Sequence, residues 1–220
     1  MLNAYDQIRI INLNSRADRR TEMISELQRL GLEHDPRVQF FDAIVPEGPG
    51  KWRTVGEHGC YMSHLSLLRS AEAAGENILL LEDDCDFTDA ASTSKWGLGS
   101  EIFYGGFRTT DYSRLQTGDI EGAHCMGFHR DILTRLVAFL EKSAESPLPI
   151  PVDGAYVEFR RANPELLTEF AIPQVAVQRQ SRSDITPGKF DRNKWLSLIA
   201  SPIRKLNRGR HRRRRMMDGL

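Results

Sequence analysis

Three consecutive carboxylates, Glu82, Asp83 and Asp84, close an apolar run that starts at Ile78 and continues through Leu79, Leu80 and Leu81. Like charges this close repel one another unless they share a cation or a set of donors. A hard, oxygen-liganded ion such as manganese or magnesium suits carboxylates and would bridge a diphosphate. The apolar run, led by a β-branched residue, predicts a strand buried on both faces of a mainly parallel sheet. Ligands of open α/β sheets gather outside the carboxyl ends of the strands, which is where this spacing puts the acids. The bland alternative is a solvated polar turn after a core strand.

Other residues with chemical potential are scattered. Arg16, Arg19 and Arg20 follow a first strand, where guanidinium groups could fork onto phosphate oxygens. Ser63 and His64 are adjacent, so on a helix they point about 100° apart and form no nucleophile–base pair with each other; each could donate to a ligand or simply pack. Pro151 and Gly154 bracket Asp153 in a predicted turn, which would present one carboxylate as a general base or as a helix N-cap. His58, His124 and His129 are ambiguous one at a time.

The elements that must position these residues can be read in order. Gln7 to Leu13 predicts a strand, and Met23, Ile24, Leu27 and Leu30 share one helical face that Gly31 ends, with Ser15 and Asp18 as a weak capping box. Val38 to Ala43 predicts a second strand and Pro46 to Gly50 a loop. Gly56 to Ala74, with Tyr61, Leu65 and Leu68 on one stripe, predicts a helix feeding into the acidic strand. Strand, helix, strand, helix, strand is a doubly wound half. Further on, Asp86 to Gly99 is small and polar, Glu101 to Phe107 predicts a strand ending in a Gly-Gly turn, and Gly122 to Phe128 another. Ile132, Leu133, Leu136, Val137 and Leu140 mark a helix, and a short one runs from Ala155 to Arg161. Phe170 to Ile172 and Val175 to Val177 end the folded part.

At 220 residues the chain suits one α/β domain plus a tail. Its 30 basic and 30 acidic residues cancel, but unevenly. From Lys189 onward there are eleven Lys/Arg and two Asp, leaving an acidic body with a balance of −9 over residues 1–188. The expected division is a folded domain at 1–188 and a basic, partly amphipathic tail at 189–220. Residues 204–215 hold eight basic residues beside Trp195, Leu196, Leu198, Ile199 and Ile203. That pairing predicts contact with an anionic membrane surface, ahead of a solvated end and, last, a nucleic-acid arm. Cys60, Cys85 and Cys125 are odd in number and widely spaced, which suggests neither a disulfide framework nor a zinc site and fits a reducing compartment. No apolar run reaches the length of a membrane span and no signal peptide is evident, so a cytoplasmic protein, peripheral on the membrane through its tail, is expected.

The acidic strand also resembles the opening strand of a response-regulator receiver domain. Such a domain needs a later apolar strand ending in Asp and another ending in Lys, and neither is present.

Taken together, INLNSRADRR (Ile11 to Arg20), GEHGCYMSHLSLL (Gly56 to Leu68), ILLLEDD (Ile78 to Asp84), GAHCMGF (Gly122 to Phe128), PVD (Pro151 to Asp153) and PQVAVQRQSRSDI (Pro173 to Ile185) resemble, in this order, the motifs of glycosyltransferase family 25. That family includes bacterial lipooligosaccharide and collagen galactosyltransferases. The resemblance implies a GT-A-like domain with a Rossmann-like nucleotide-sugar half. It also implies metal-dependent, inverting transfer of a sugar, galactose first, from a UDP-sugar to a glycan or lipid-linked glycan hydroxyl, as in lipopolysaccharide synthesis. Carried over, Asp84, Glu82 and Asp83 hold manganese or magnesium, with Asp84 foremost and Glu82 also near the ribose. Asn12 and Arg16 lie by the nucleotide, Glu57, Ser63 and His64 at the donor pocket, and Gln178, Ser183 and Asp184 in a closing segment, with Asp153 as base. Cys125-Met126 and His129 depart from the family pattern, which bears on the acceptor and the sugar. Two rival functions are a non-catalytic nucleotide-sugar or carbohydrate-binding protein on a degenerate transferase fold, and a metal-dependent phosphohydrolase.

Overall fold

Leu79 and Leu81 face one side of the central sheet and Ile78 and Leu80 the other, and all four are buried. A strand apolar on both faces needs cover on both, and the computed structural model supplies it. It describes residues 2, 4–93, 96–97 and 99–179, which fall within one compact unit, Met1–Ser181. The expected boundary at 188 and the basic tail lie outside the described residues.

The elements follow the expected alternation: β1 (Gln7–Asn12), α1 (Ala17–Leu30), β2 (Val38–Asp42), α2 (Val55–Ala74) and β3 (Ile78–Glu82). Gly31 and Gly75 end the two helices in the left-handed conformation, at φ 69° and 66°, which glycine adopts without a Cβ clash. After β3 come β4 (Cys85–Phe87), β5 (Ile102–Tyr104), β6 (Cys125–Phe128), α3 (Arg130–Glu145), α4 (Val152–Ala162), β7 (Thr168–Phe170) and β8 (Ala176–Gln178).

The main sheet has the order β2-β1-β3-β6-β5-β7. β1 pairs in parallel with both β2 and β3, and β5 with β7, whereas β6 is antiparallel to β3 and β5. Five of the six strands therefore run one way, and the α/β fold with a mainly parallel, Rossmann-like half is as expected. Met23 and Leu27 of α1 cover one face, together with Ile8, Ile10, Leu79 and Leu81. Tyr61, Leu65 and Leu68 of α2 cover the other, backed by the buried stripe of α3 and by Tyr156 and Phe159 of α4. Among the described residues, no helix is long and apolar enough to cross a membrane.

Three local expectations need correction. The N-cap of α1 is Arg16, which makes no side-chain cap, so Ser15 and Asp18 form no capping box; Asp18 instead pairs with Arg16. Asp153 lies in the first turn of α4, whose N-cap is Pro151, and not in a separate Pro-Gly turn. The segment after the acids is not merely polar: β4 pairs with β8 in a two-stranded ribbon. Gly105 and Gly106 answer close packing, because a Cβ on Gly105 would lie 2.3 Å from Cys125 Sγ and one on Gly106 2.4 Å from the Ala176 carbonyl.

Candidate active site

β1 and β3 are in register at Ile11 and Glu82, so the loop after β1 and the acids after β3 emerge side by side. The Asp83 amide donates to the Ile11 carbonyl and the Glu82 amide to the His124 carbonyl, which fixes the acidic turn between β1 and β6. The three carboxylates then take three different environments.

Asp83 is committed to the fold. Its Oδ1 accepts from Arg19 Nη1 at 2.7 Å and its Oδ2 from Asn12 Nδ2 at 2.8 Å, all three residues being buried. Asn12 also donates to the Arg16 carbonyl, so it ties the β1–α1 loop to the acidic turn. Arg16 points its guanidinium at Asp18, and Arg20 stacks over the Phe40 ring.

Asp84 is the carboxylate with capacity left over. Gln178 Nε2 donates to its Oδ2 at 3.4 Å and Arg19 Nη1 lies 3.5 Å from the same oxygen, while Oδ1 is buried without a hydrogen-bond partner. Burial foremost, then the charges of Glu82 and Asp83, push this carboxyl up to about 7, against the opposing pull of Arg19 and Gln178. A bound cation would relieve that penalty.

Glu82 faces α2. Burial raises its carboxyl, but His64, His124 and Arg19 together bring it below the usual range. Its Oε1 lies 3.4 Å from His64 Nε2, which makes no hydrogen bond, and accepts from the Cys60 thiol at 3.8 Å. Among the described residues, ligand atoms from a set of three that come within 4.8 Å of one another belong to Cys60, His64 and Glu82, not to the three consecutive acids. The reason is that Asp83 turns away into Arg19 and Asn12.

Asp153 reaches the same edge from α4. It accepts from the Gly122 amide at 3.2 Å and the Gly154 amide at 2.8 Å, and its charge acts on Cys60 and Tyr104. His124, just before β6, is buried with its ring against Gly106; burial lowers its pKa although Glu82 pulls it up.

The remaining expected residues hold the frame. Ser63 is fully buried, donating to the Gly59 carbonyl and accepting from the Ile44 amide, which docks the loop after β2 onto α2. Gly59 permits that contact, since a Cβ there would lie 2.4 Å from the Ile44 carbonyl. Glu57, expected at the donor pocket, is held at the start of α2: its carboxylate accepts from the Arg53 backbone and side chain, and its own amide donates to Thr54 Oγ1. Ser183 and Asp184 lie outside the described residues.

Two participants went unread in the sequence. Arg179 donates from its amide to the Asp84 carbonyl and pairs its guanidinium with Asp86 and Glu22, locking β8 beside the acids. Cys60 gave no signal as a widely spaced cysteine; its signal was the four-residue step to His64 on one helical face.

No protein-family model matches the chain. Over 102 residues it is 34% identical to a Glycosyltransferase 25 family member from Anopheles gambiae, covering 38% of this chain and 17% of that protein. The chain thus spans less than a fifth of that relative's length. Solved structures similar to it include a 4-diphosphocytidyl-2C-methyl-D-erythritol synthase from Anaerococcus prevotii, with TM-score 0.47, 11% identity and coverage of 82% of this chain and 75% of that one. A glycosyltransferase involved in glycosylation of the major capsid of PBCV-1 has TM-score 0.47 and 12% identity, covering 75% and 81%. A CTP:phosphocholine cytidylyltransferase from Streptococcus pneumoniae has TM-score 0.44 and 8% identity, covering 80% and 93%.

Proposed function

We propose that the chain is a glycosyltransferase that moves a sugar from a UDP-sugar, with galactose the first candidate, to a hydroxyl of a glycan or lipid-linked glycan. The observation that carries this reading is Asp84: a buried carboxylate with one unpartnered oxygen, at the carboxyl edge of a Rossmann-like half, with Glu82 beside it. The partial likeness to a glycosyltransferase 25 family member supports the same class.

In this reading Asp84 and Glu82 hold a divalent cation, manganese or magnesium, while Asp83 serves by fixing the turn. The cation would supply charge neutralisation for the diphosphate. Arg19, already beside Asp83 and Asp84, adds fixed positive charge to the same edge. Asp153 is the base that takes the proton from the acceptor hydroxyl, held by the Gly122 and Gly154 amides so that it arrives in one orientation. Gln178 orients Asp84 from β8. The basic segment 204–215 would bring the enzyme to anionic lipid carrying its acceptor, and vesicle co-sedimentation with and without residues 190–220 checks that part.

Calorimetry tests the donor assignment. UDP binding is expected in the presence of manganese, weakened at least about 10-fold by chelator or by Asp84→Asn. UDP binding that ignores both would contradict the role given to Asp84.

A further inference from the structure

Cys60 and His64 sit four residues apart on α2, on one helical face, and meet Glu82 at the end of β3. We infer that Cys60, His64 and Glu82 form a binding site for a thiolate-accepting divalent cation, zinc in the first instance, which shares Glu82 with the carboxylate site at Asp84 but differs from it in donor chemistry.

Four observations converge. First, all three donor atoms lie within 4.8 Å of one another, and two of their separations are close to the edges of a coordination tetrahedron. Zinc bonds of about 2.0–2.3 Å set nitrogen–oxygen edges of about 3.4 Å and sulfur–oxygen edges of about 3.6 Å. His64 Nε2 to Glu82 Oε1 is 3.4 Å and Cys60 Sγ to Glu82 Oε1 is 3.8 Å. Second, His64 is fully buried and its Nε2, within 4.8 Å of the Glu82 and Cys60 ligand atoms, has no hydrogen-bond partner, an arrangement that is costly if nothing else is bound there. Third, His64 Nδ1 lies 2.9 Å from the Tyr156 hydroxyl, itself buried. That partner can accept from Nδ1–H and so leave the Nε2 lone pair for a metal, as second-shell partners of ligating histidines do. Fourth, sulfur, nitrogen and one carboxylate oxygen make a borderline-soft donor set, which suits zinc better than manganese or magnesium.

Cys60 and Glu82 are only partly buried, whereas His64 is fully buried. Binding replaces the Cys60 thiol proton, which leaves to solvent, while His64 binds as neutral imidazole and Glu82 as carboxylate. Cys85 and Cys125 are buried on the other side of the sheet and take no part.

The test uses the full chain, freed of metal by chelator and titrated with cobalt and then zinc. Wild type should take up one zinc per chain by elemental analysis. With cobalt it should show a thiolate-to-cobalt charge-transfer absorption and the strong visible bands of a tetrahedral ion. Cys60→Ser and His64→Gln, checked for folding by circular dichroism, should lose the charge-transfer band or bind at least about 10-fold more weakly. Cys85→Ser and Asp84→Asn should keep both. Stoichiometric zinc unaffected by Cys60→Ser, a cobalt complex without the thiolate band, or wild type that takes up no zinc would each overturn the site. No donor or acceptor enters the experiment, so its result is independent of whether sugar transfer is found.

Discussion

Arg19 lies 2.7 Å from Asp83 and 3.5 Å from Asp84, so one buried guanidinium neutralises one carboxylate fully and another in part. That division separates the acids: Asp83 closes the fold and Asp84 is left under charge stress. Removing Arg19 strands Asp83 in a site where both are buried. Arg19→Ala should cost about 3–5 kcal/mol in urea unfolding. The exposed pair of Arg135 with Glu165 is the control, and Arg135→Ala should cost less than about 1 kcal/mol. Equal losses in the two variants would remove the structural role of the Arg19–Asp83 pair.

Asp84 predicts a pH dependence. Its carboxyl is raised to about 7, by burial first and then by Glu82. An acid raised by folding supports the fold while protonated; that contribution is full below the unfolded value of about 4 and is lost as pH rises through the folded one. In chelator, wild-type stability should therefore fall between pH ~4 and ~8 by on the order of 4 kcal/mol on this account. Asp84→Asn should remove that part of the slope, matching wild type near the acid end and exceeding it above neutrality. Denaturant midpoints across the range measure it, and an unchanged slope would refute the assignment.

Gly59 predicts a steric cost. A methyl group there would lie 2.4 Å from the Ile44 carbonyl, which Ser63 holds close through the Ile44 amide. Gly59→Ala should destabilise by about 1–3 kcal/mol, read by thermal unfolding, as expected for overpacking against backbone. Gly48→Ala, which meets nothing within 4 Å, should change little.

Asp153 predicts a separation of binding from turnover. Asp153→Asn keeps the shape of the side chain but cannot act as a base, so transfer should fall about 10²- to 10⁴-fold. UDP-sugar affinity by calorimetry should stay within a few-fold of wild type. Loss of donor binding instead would make Asp153 a structural residue of the 122–154 contact.

The sequence made the parallel half legible because its signals are local: a continuous apolar strand, two helical stripes and two glycine stops. The roles within the acidic triplet were not, since they depend on Asn12 and Arg19, whose contacts to Asp83 span 71 and 64 residues. Glu57 shows the same gap, because a glutamate beside a donor pocket and one three residues after the N-cap Thr54 look alike until its partners are known. β4 was hidden by its shortness and by its dependence on β8, far along the chain. The Cys60–His64–Glu82 set escaped for a related reason: only two members share an element, and the cysteine count by itself spoke against zinc.

UDP release from a panel of UDP-sugars, followed with manganese for wild type and Asp84→Asn, tests the central claim most directly. Wild type should release UDP from one donor in a manganese-stimulated reaction, faster with a glycan acceptor, and Asp84→Asn should be slower by at least about 100-fold. Equal release by the two proteins, or none from any donor with UDP bound, would contradict a transferase built on Asp84.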